Sequence, residues 1–172
     1  RVTGLDFSPN AIAEAARFAD ILGFDDARFV VSRVSEAVET LEGEQFDIIY
    51  TGRGALCWLP DLEEWARVCA SLLKQGGTLY LEESTPMVNI LDSEDGPNGP
   101  RLVPKYDLFN EGPISEIGEG SYADPEWPGR GVTHCWEYRY DTIINALIEG
   151  GFRIEFLNER DELFFTPWPE FF

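Results

Sequence analysis

The chain has 172 residues, of which 44% are hydrophobic and 13% aromatic, so it can build the core of one domain. Its 32 acidic residues outnumber its 13 basic residues and give a formal net charge of −19. Binding to a nucleic acid backbone or to an anionic membrane surface requires lysine and arginine counter-charges, so this composition disfavours both partners. A binding site for a small molecule remains compatible with the charge, and the oligomeric state stays open.

Cysteine and histidine usage argues against a metal site and against a disulfide-rich fold. Cys57, Cys69 and Cys135 are odd in number and form no Cys-x-x-Cys motif. We interpret them as packing residues of a protein in a reducing compartment, the cytoplasm. His134 is the only histidine, and no run of 18 apolar residues could span a membrane.

The chain opens with an apolar segment, residues 1–5, that leads into Asp6 and predicts a β-strand. Ser8 is a favourable helix N-cap and Pro9 suits the first helical position. Apolar residues then recur at helical spacing up to Gly23, which predicts a helix that ends there. In nucleotide-binding α/β folds, such a strand follows a first strand, a glycine-rich turn and a helix. Because these elements are not present, we expect a fragment that lacks roughly 30 residues or more, the size of a βαβ unit.

Strand and helix patterns alternate through most of the remaining chain. Predicted strands cover residues 27–31, 46–50, 78–82 and 152–157, and predicted helices cover residues 35–41, 61–75 and a segment that ends at residue 150. This alternation predicts an α/β fold, a three-layer sandwich around a mostly parallel, Rossmann-like sheet.

Residues 84–131 interrupt the alternation. The segment is rich in proline, glycine and acidic residues, and it is too long for an ordinary connection between two elements. Its aromatic residues Tyr106, Phe109, Tyr122 and Trp127 argue against plain disorder. We therefore predict an insertion or lid at 84–131, within a single domain that comprises the whole chain.

Several segments give the chain a resemblance to a known family. They are Gly-Leu-Asp-Phe-Ser-Pro at 4–9, Phe-Asp-Ile-Ile-Tyr-Thr-Gly at 46–52, Gly-Ala-Leu-Cys-Trp-Leu-Pro-Asp at 54–61, Leu-Leu-Lys-Gln-Gly-Gly-Thr-Leu-Tyr at 72–80, and Trp136 with Ile-Ile-Asn-Ala-Leu-Ile-Glu-Gly-Gly-Phe at 143–152. In this order and spacing they resemble class I S-adenosylmethionine-dependent methyltransferases of a bacterial small-molecule type. The resemblance covers most of the chain outside 84–131, and Gln75 stands where the family usually has proline.

The resemblance implies a seven-stranded sheet whose last strand is antiparallel, and a methyl transfer to a small-molecule acceptor. The family's first strand and its glycine-rich motif are absent here, and the final strand is at best begun around residues 163–165. Loss of the glycine-rich loop would remove backbone amides that approach the cofactor closely.

The resemblance further implies S-adenosyl-L-methionine as cofactor and assigns three residues to its nucleoside part. Asp6 is expected to accept hydrogen bonds from the ribose hydroxyls, although an acid at this position also favours the helix that follows. Phe7 is expected to pack on the adenine ring or in the core. Arg33 stands where the family often has an acid, and it has no acceptor atom. Either Val34, with Ser35, lines the adenine pocket through backbone groups, or this edge of the site has diverged.

Tyr50, Thr51 and Gly52 are expected beside the methionine part of the cofactor, because they follow the strand at 46–50. Glycine there permits close approach of a ligand, and it serves a tight turn equally well.

Other residues are assigned to the acceptor side. Trp58 and Trp136 are candidates for substrate contact, with Trp58 alternatively filling the core. Glu83 and His134 are weak candidates for acid–base catalysis, and the catalytic residues otherwise stay unknown. No metal is expected, since methyl transfer depends mainly on alignment of the reacting atoms and exclusion of water.

Two alternatives remain open at this point. One is a fragment of a Rossmann oxidoreductase that depends on NAD(P), because such enzymes also carry an acid after the second strand. The other is a non-catalytic acidic interaction domain with the same fold. The Trp-Leu-Pro-Asp segment at 58–61 and the Leu-Lys-Gln-Gly-Gly segment at 73–77 disfavour the oxidoreductase.

Overall fold

The computed structural model describes residues 1–119 and 129–162, together with residues 168 and 171. Its helices and strands are, in chain order, β1 Val2–Asp6, α1 Pro9–Leu22, β2 Ala27–Val31, α2 Ala37–Thr40, β3 Phe46–Gly52, α3 Leu62–Leu72, β4 Leu73–Glu82, α4 Pro86–Asn89, β5 Leu91–Gly96, β6 Gly99–Pro104, β7 Ile114–Glu119, β8 Arg130–Cys135 and α5 Tyr140–Glu149. The chain divides into two compact units, which are described separately below. Unit 1 comprises Arg1–Ile49 and Glu63–Leu79, and unit 2 comprises Tyr50–Leu62 and Tyr80–Phe172.

The start of unit 1 follows the sequence signals closely. β1 and β2 pair in parallel, in a register that runs from Val2 opposite Ala27 to Asp6 opposite Val31. The Ser8 hydroxyl caps α1 by accepting the Ala11 N–H at 3.3 Å, and Pro9 occupies the first turn. Gly23 ends the helix with φ 73°, a left-handed conformation that glycine adopts without strain. The predicted strand, helix start and helix stop are confirmed.

The core of unit 1 is built from short apolar side chains on two helices. Ala37 and Leu41, in and just after α2, pack with Leu72 at the end of α3. Apolar residues of all three neighbouring strands pack against this cluster: Leu5, Val30, Phe46 and Ile49. Burial of this surface holds α2 and α3 against the strands.

The junction of α3 and β4 differs from the prediction. The helix was expected to continue to the glycines at 76 and 77, but it ends at Leu72 and β4 begins at Leu73. A Cβ at Gly77 would lie 3.0 Å from the carbonyl oxygens of Asp47 and Lys74. Gly77 is therefore required by a close approach of backbone segments inside the strand, rather than by the end of a helix.

Two β-hairpins account for much of the described part of the predicted insertion, residues 84–131. β5 and β6 pair antiparallel from Leu91 opposite Pro104 to Gly96 opposite Gly99. β7 and β8 pair antiparallel from Ile114 opposite Cys135 to Glu119 opposite Arg130. Together with the parallel pair β1–β2, these hairpins make the strand pairing mixed, and the expectation of a mostly parallel sheet does not extend to the insertion. Tyr122 and Trp127, two of the aromatic residues on which the prediction of a lid rests, lie outside the described residues.

The end of unit 2 confirms one element and corrects another. Helix α5 ends at Glu149, before the predicted glycine stop. The predicted strand at 152–157 does not form, although all of its residues are described. Phe156 is 61% exposed, and Arg153 and Glu155 pair with each other at 2.6 Å. The alternating pattern predicts a strand, but a strand also needs a hydrogen-bonding partner, and the final strand expected at 163–165 lies outside the described residues.

Candidate functional site

Asp6 lies at the carboxyl end of β1 in unit 1, with an exposed side chain. Its Oδ1 accepts the Ser8 N–H at 2.7 Å, and its backbone carbonyl accepts the Ser32 N–H at 2.9 Å. Within the described part of the chain, Oδ2 has no hydrogen-bond partner. The carboxylate is thus held in place through one oxygen, while the other oxygen can accept hydrogen bonds from a ligand.

Two further predicted cofactor residues lie at the same edge of unit 1. Phe7 follows Asp6, and its side chain is 69% exposed, so its ring can stack on a planar ligand. Val34 begins a 3-10 turn after β2 and is half-buried. Buried Ser32 anchors this turn, because its hydroxyl bonds to the Arg33 carbonyl and to the Thr40 hydroxyl, each at 3.0 Å. The parallel pairing therefore brings Asp6, Phe7 and the turn with Val34 to one edge.

In unit 2, the ends of β3 and β4 carry a cluster of aromatic and charged side chains, which we call the Tyr50–Glu82 cluster. The Tyr50 hydroxyl donates to Glu82 Oε2 at 2.9 Å, and the Tyr50 ring stacks on Tyr80 with centroids 5.9 Å apart. Arg53 lies 3.6 Å from Glu82 Oε2, and Arg160 donates to the Tyr80 hydroxyl at 3.1 Å. The hydrogen bond to Glu82 raises the pKa of Tyr50 above its ordinary value of 10.0.

Gly52 has a structural reason to be glycine. A Cβ there would lie 2.7 Å from the Tyr50 hydroxyl and 3.1 Å from the Glu82 carbonyl oxygen. Any larger residue would displace the hydrogen-bonded tyrosine. Thr51, between Tyr50 and Gly52, is half-buried at the same strand end.

Glu83 follows β4 and holds the loop after β3. Its Oε1 accepts the backbone N–H groups of Ala55 and Leu56 at 2.7 and 2.9 Å. Burial raises the pKa of Glu83, and these backbone hydrogen bonds oppose the rise. The side chain thereby fixes the 3-10 turn Leu56–Trp58, a positioning task that its place at a strand end does not reveal.

The two predicted substrate-contacting tryptophans are linked through the backbone of unit 2. Trp58 ends the 3-10 turn with 53% of its side chain exposed. Trp136 follows β8, and its N–H donates to the Cys57 carbonyl at 2.9 Å. The exposed Trp58 ring is available to a ligand, which disfavours the alternative that it fills the core.

His134 lies on β8, exposed to solvent and opposite Ser115 of β7. Its Nδ1 is 2.8 Å from the Ser115 hydroxyl, a cross-strand hydrogen bond of the hairpin. No contact with Glu83, the other acid–base candidate, is among those the structure gives for the described residues.

The cysteines are free thiols, and two of them are neighbours. Cys57 and Cys135, 78 positions apart in the sequence, are hydrogen-bonded through their side chains in unit 2. Burial raises the pKa of Cys57 and that of Cys69 to about 12, so both remain protonated thiols at neutral pH.

Glu137 is a residue that the sequence reasoning missed. It is half-buried between Trp136 and Tyr138, and burial raises its pKa. An acid flanked by two aromatic residues in the Cys-Trp-Glu-Tyr segment was the available signal, because such neighbours remove water from a carboxylate.

Among the described residues, no group of three or more histidine, cysteine, aspartate or glutamate side chains could hold a metal ion. The longest helix described, α1, has 14 residues, and no helix combines the length and apolar character that crossing a membrane requires.

Comparisons with known proteins connect these observations to a family. A family model described as a methyltransferase domain matches residues 1–79. The fold is similar to the crystal structure of an S-adenosylmethionine-dependent methyltransferase from Clostridium acetobutylicum, with 15% identity and a TM-score of 0.57 over 86% of this chain and 62% of that one. It is similar also to DesVI of Streptomyces venezuelae, with 15% identity and a TM-score of 0.57 over 90% of this chain and 67% of that one. This chain thus spans about two thirds of the length of either protein. A search among curated proteins found no significant match.

Proposed function

We propose that this chain, whose residues 1–79 match a family model described as a methyltransferase domain, forms part of an enzyme that transfers a methyl group from S-adenosyl-L-methionine to a small-molecule acceptor. The observation that carries the proposal is the edge of unit 1, where Asp6 presents a carboxylate oxygen that has no partner among the described residues, beside the exposed ring of Phe7. The fold shared with a known S-adenosylmethionine-dependent methyltransferase supports it. We also propose that its strands and helices are arranged in three layers.

The residues present suit the nucleoside part of such a cofactor. Asp6 Oδ2 would accept hydrogen bonds from the ribose hydroxyls, Phe7 would stack on the adenine, and Val34 would line the adenine pocket. In unit 2, we propose that Tyr50 and Thr51 contact the methionine part, with Gly52 keeping Tyr50 in place. When bound, the cofactor supplies a methyl group on a sulfonium sulfur, which is already a good leaving group.

On the acceptor side, we propose that unit 2 aligns the nucleophile and excludes water. Trp58 and Trp136 would contact the acceptor, and Glu83 would act as a positioning residue that holds the turn with Trp58. His134 remains a candidate base, and residues 84–131 are proposed to form a lid. The three free thiols support the cytoplasmic location that we propose.

The experiment that tests the cofactor is calorimetry of S-adenosylhomocysteine binding to the full-length protein and to its Asp6→Asn variant. Asparagine keeps an oxygen for the Ser8 N–H but loses the charge, so α1 should remain intact. We expect binding to weaken by about 1.5–3 kcal/mol, the scale of hydrogen bonds to a charged group. Asp20→Asn, an exposed acid on α1, is the matched control and should bind normally.

The competing functions give different results in the same experiment. Binding of NADH without affinity for S-adenosylhomocysteine would favour an oxidoreductase. Absence of binding to either molecule would favour an interaction domain that keeps only the fold.

A further inference from the structure

Unit 2 holds two free cysteines side by side, although 78 positions separate them in the sequence. Cys57 lies in the 3-10 turn Leu56–Trp58, and Cys135 is the last residue of β8. Their thiols are hydrogen-bonded to each other. Two sulfur atoms in such contact can form a disulfide without a large movement of either side chain.

The backbone holds the two cysteines in this position. The Trp136 N–H donates to the Cys57 carbonyl at 2.9 Å, and the Tyr138 hydroxyl donates to the Leu59 carbonyl. Bridged cysteines have Cα atoms about 4.4–6.8 Å apart, and a hydrogen bond between adjoining peptide groups favours a separation of this size. The Glu83 carboxylate fixes the start of the same turn. The pair is therefore positioned for a covalent bond before any oxidant arrives.

Access to solvent distinguishes this pair from the third cysteine. Cys57 and Cys135 are both partly exposed, whereas Cys69 is buried in unit 1. Cys135 also lines a cavity of about 180 Å³ on one face of the hairpin β7–β8. A water molecule takes up about 30 Å³, so this cavity admits an oxidant as small as hydrogen peroxide.

The hydrogen bond between the thiols gives them different roles. Burial raises the pKa of both Cys57 and Cys135. The shared hydrogen bond adds to the rise at Cys57 and opposes the rise at Cys135. Because the thiolate is the nucleophile, Cys135 is the thiol that reacts first with an oxidant, and Cys57 is the thiol that reacts second.

We propose that Cys57 and Cys135 are a site of reversible oxidation, at which a peroxide converts the two thiols into an intramolecular disulfide. With hydrogen peroxide, the Cys135 thiolate attacks one oxygen, the O–O bond breaks, and the departing hydroxide takes up a proton to give water. The Cys57 thiol then attacks the sulfur of the resulting sulfenic acid, so the S–S bond forms, the S–O bond breaks, and a second water leaves. In total, the two thiols lose two protons and two electrons, and one hydrogen peroxide becomes two waters.

The disulfide ties the turn Leu56–Trp58 to β8. Trp58 and Trp136 follow the two cysteines directly in the sequence, so oxidation acts on the part of unit 2 that carries both tryptophans. Disulfides of cytosolic proteins are usually transient, because thiols of a reducing compartment attack and reopen them. The site therefore responds to an increase in peroxide and recovers when the peroxide is removed.

The test is mapping of the thiols in the full-length protein after brief treatment with hydrogen peroxide. Trypsin separates the three cysteines into peptides 54–67, 68–74 and 131–139. After free thiols are blocked with N-ethylmaleimide, mass spectrometry should find 54–67 linked to 131–139, and dithiothreitol should split the pair. This link should exceed any link to 68–74 about ten-fold or more, because contact raises the effective concentration of the second thiol. Unfolding in urea before oxidation should abolish the preference.

Alanine variants test the order of the two steps. In Cys57→Ala, the Cys135 sulfenic acid has no neighbouring thiol and should be trapped by dimedone. Cys69→Ala is the control, and its disulfide should form as in the native protein. Three unmodified thiols after peroxide treatment, preferential linkage to Cys69, or oxidation that dithiothreitol does not reverse would overturn the proposal. The mapping of the native protein decides even where a variant fails to fold, and none of these readouts depends on methyl transfer.

Discussion

At the scale of single residues, two partly buried acids of unit 2 differ in the hydrogen bonds that their carboxylates receive. Glu83 and Glu137 both have a raised pKa because burial removes water from their carboxylates. Backbone N–H groups of the loop after β3 donate hydrogen bonds to Glu83 and offset its loss of water. Among the described residues, only the Asn89 side chain forms a hydrogen bond with Glu137. The position of Glu83 after a strand was visible in the sequence, but its loop partners were not, since they lie 27 and 28 residues away.

The raised pKa of Glu137 predicts a pH-dependent stability. Because its folded-state pKa lies above the ordinary value of 4.5, the folded protein binds the proton more tightly than the unfolded chain. That stabilisation is complete below the unfolded pKa and is lost as the pH rises through the folded pKa. Glu137→Gln should therefore gain stability relative to the native protein between pH 4 and pH 7.

Urea unfolding at several pH values checks this expectation. The difference in unfolding free energy between Glu137→Gln and the native protein should increase toward pH 7, whereas Glu39→Gln should show no comparable trend. A difference that stays constant over this range would mean that Glu137 is well solvated in the folded protein.

At the scale of elements, the start of α1 depends on one hydroxyl. Ser8→Ala removes the acceptor of the Ala11 N–H and should destabilise the protein by about 1 kcal/mol, within a usual range of about 0.5–2 kcal/mol. Ser35→Ala is the matched control, because that exposed hydroxyl has no hydrogen-bond partner within the described residues. Equal urea midpoints for the two variants would contradict the capping role.

The hairpin β5–β6 allows a clean test of the proposed lid. Its ends pair at Leu91 and Pro104, and the N–H groups of Lys105 and Tyr106 both donate to the Ile90 carbonyl outside it. Replacing residues 91–104 with a short Gly-Ser linker should therefore preserve the local backbone. We expect S-adenosylhomocysteine binding to stay within a few-fold while methyl transfer is largely lost, because a lid acts on acceptor alignment. Normal turnover in this variant would mean that the hairpin is not part of the lid.

At the scale of the whole molecule, sequence features that act on neighbouring residues predicted the structure better than features that depend on residues far away in the sequence. Ser8, Pro9 and Gly23 determine where α1 begins and ends through neighbouring backbone groups, and these predictions are confirmed. The resemblance to S-adenosylmethionine-dependent methyltransferases is also confirmed, by the match over residues 1–79 and by the shared fold. The strand at 152–157 was wrong, because pairing depends on a partner that an alternating pattern does not supply. The assigned cofactor and substrate residues stay predictions.

The Tyr50–Glu82 cluster and the environment of Glu137 could not be predicted for the same reason. Each is assembled from residues that lie far apart in the sequence: 32 positions separate Tyr50 from Glu82, and 48 separate Asn89 from Glu137. The pattern of a single sequence indicates which side chains share a face of a strand, but it does not indicate which other strand pairs with it. The hairpin register supplies that information here, since it opposes Glu116 and Thr133.

The net charge of −19 affects the stability of the whole chain. Like charges repel one another most when the protein is compact, and salt screens them, since the Debye length falls from about 30 Å at 0.01 M to about 8 Å at 0.15 M. Several of the described ion pairs, such as Arg17 with Glu14 and Lys74 with Asp47, are exposed on both sides and contribute little that salt could remove. The midpoint of thermal unfolding should therefore rise between 0.01 and 0.15 M NaCl, and a fluorescent DNA duplex should show no binding at either concentration. A midpoint that falls with added salt would instead mean that attractive ion pairs dominate over repulsion in the folded protein.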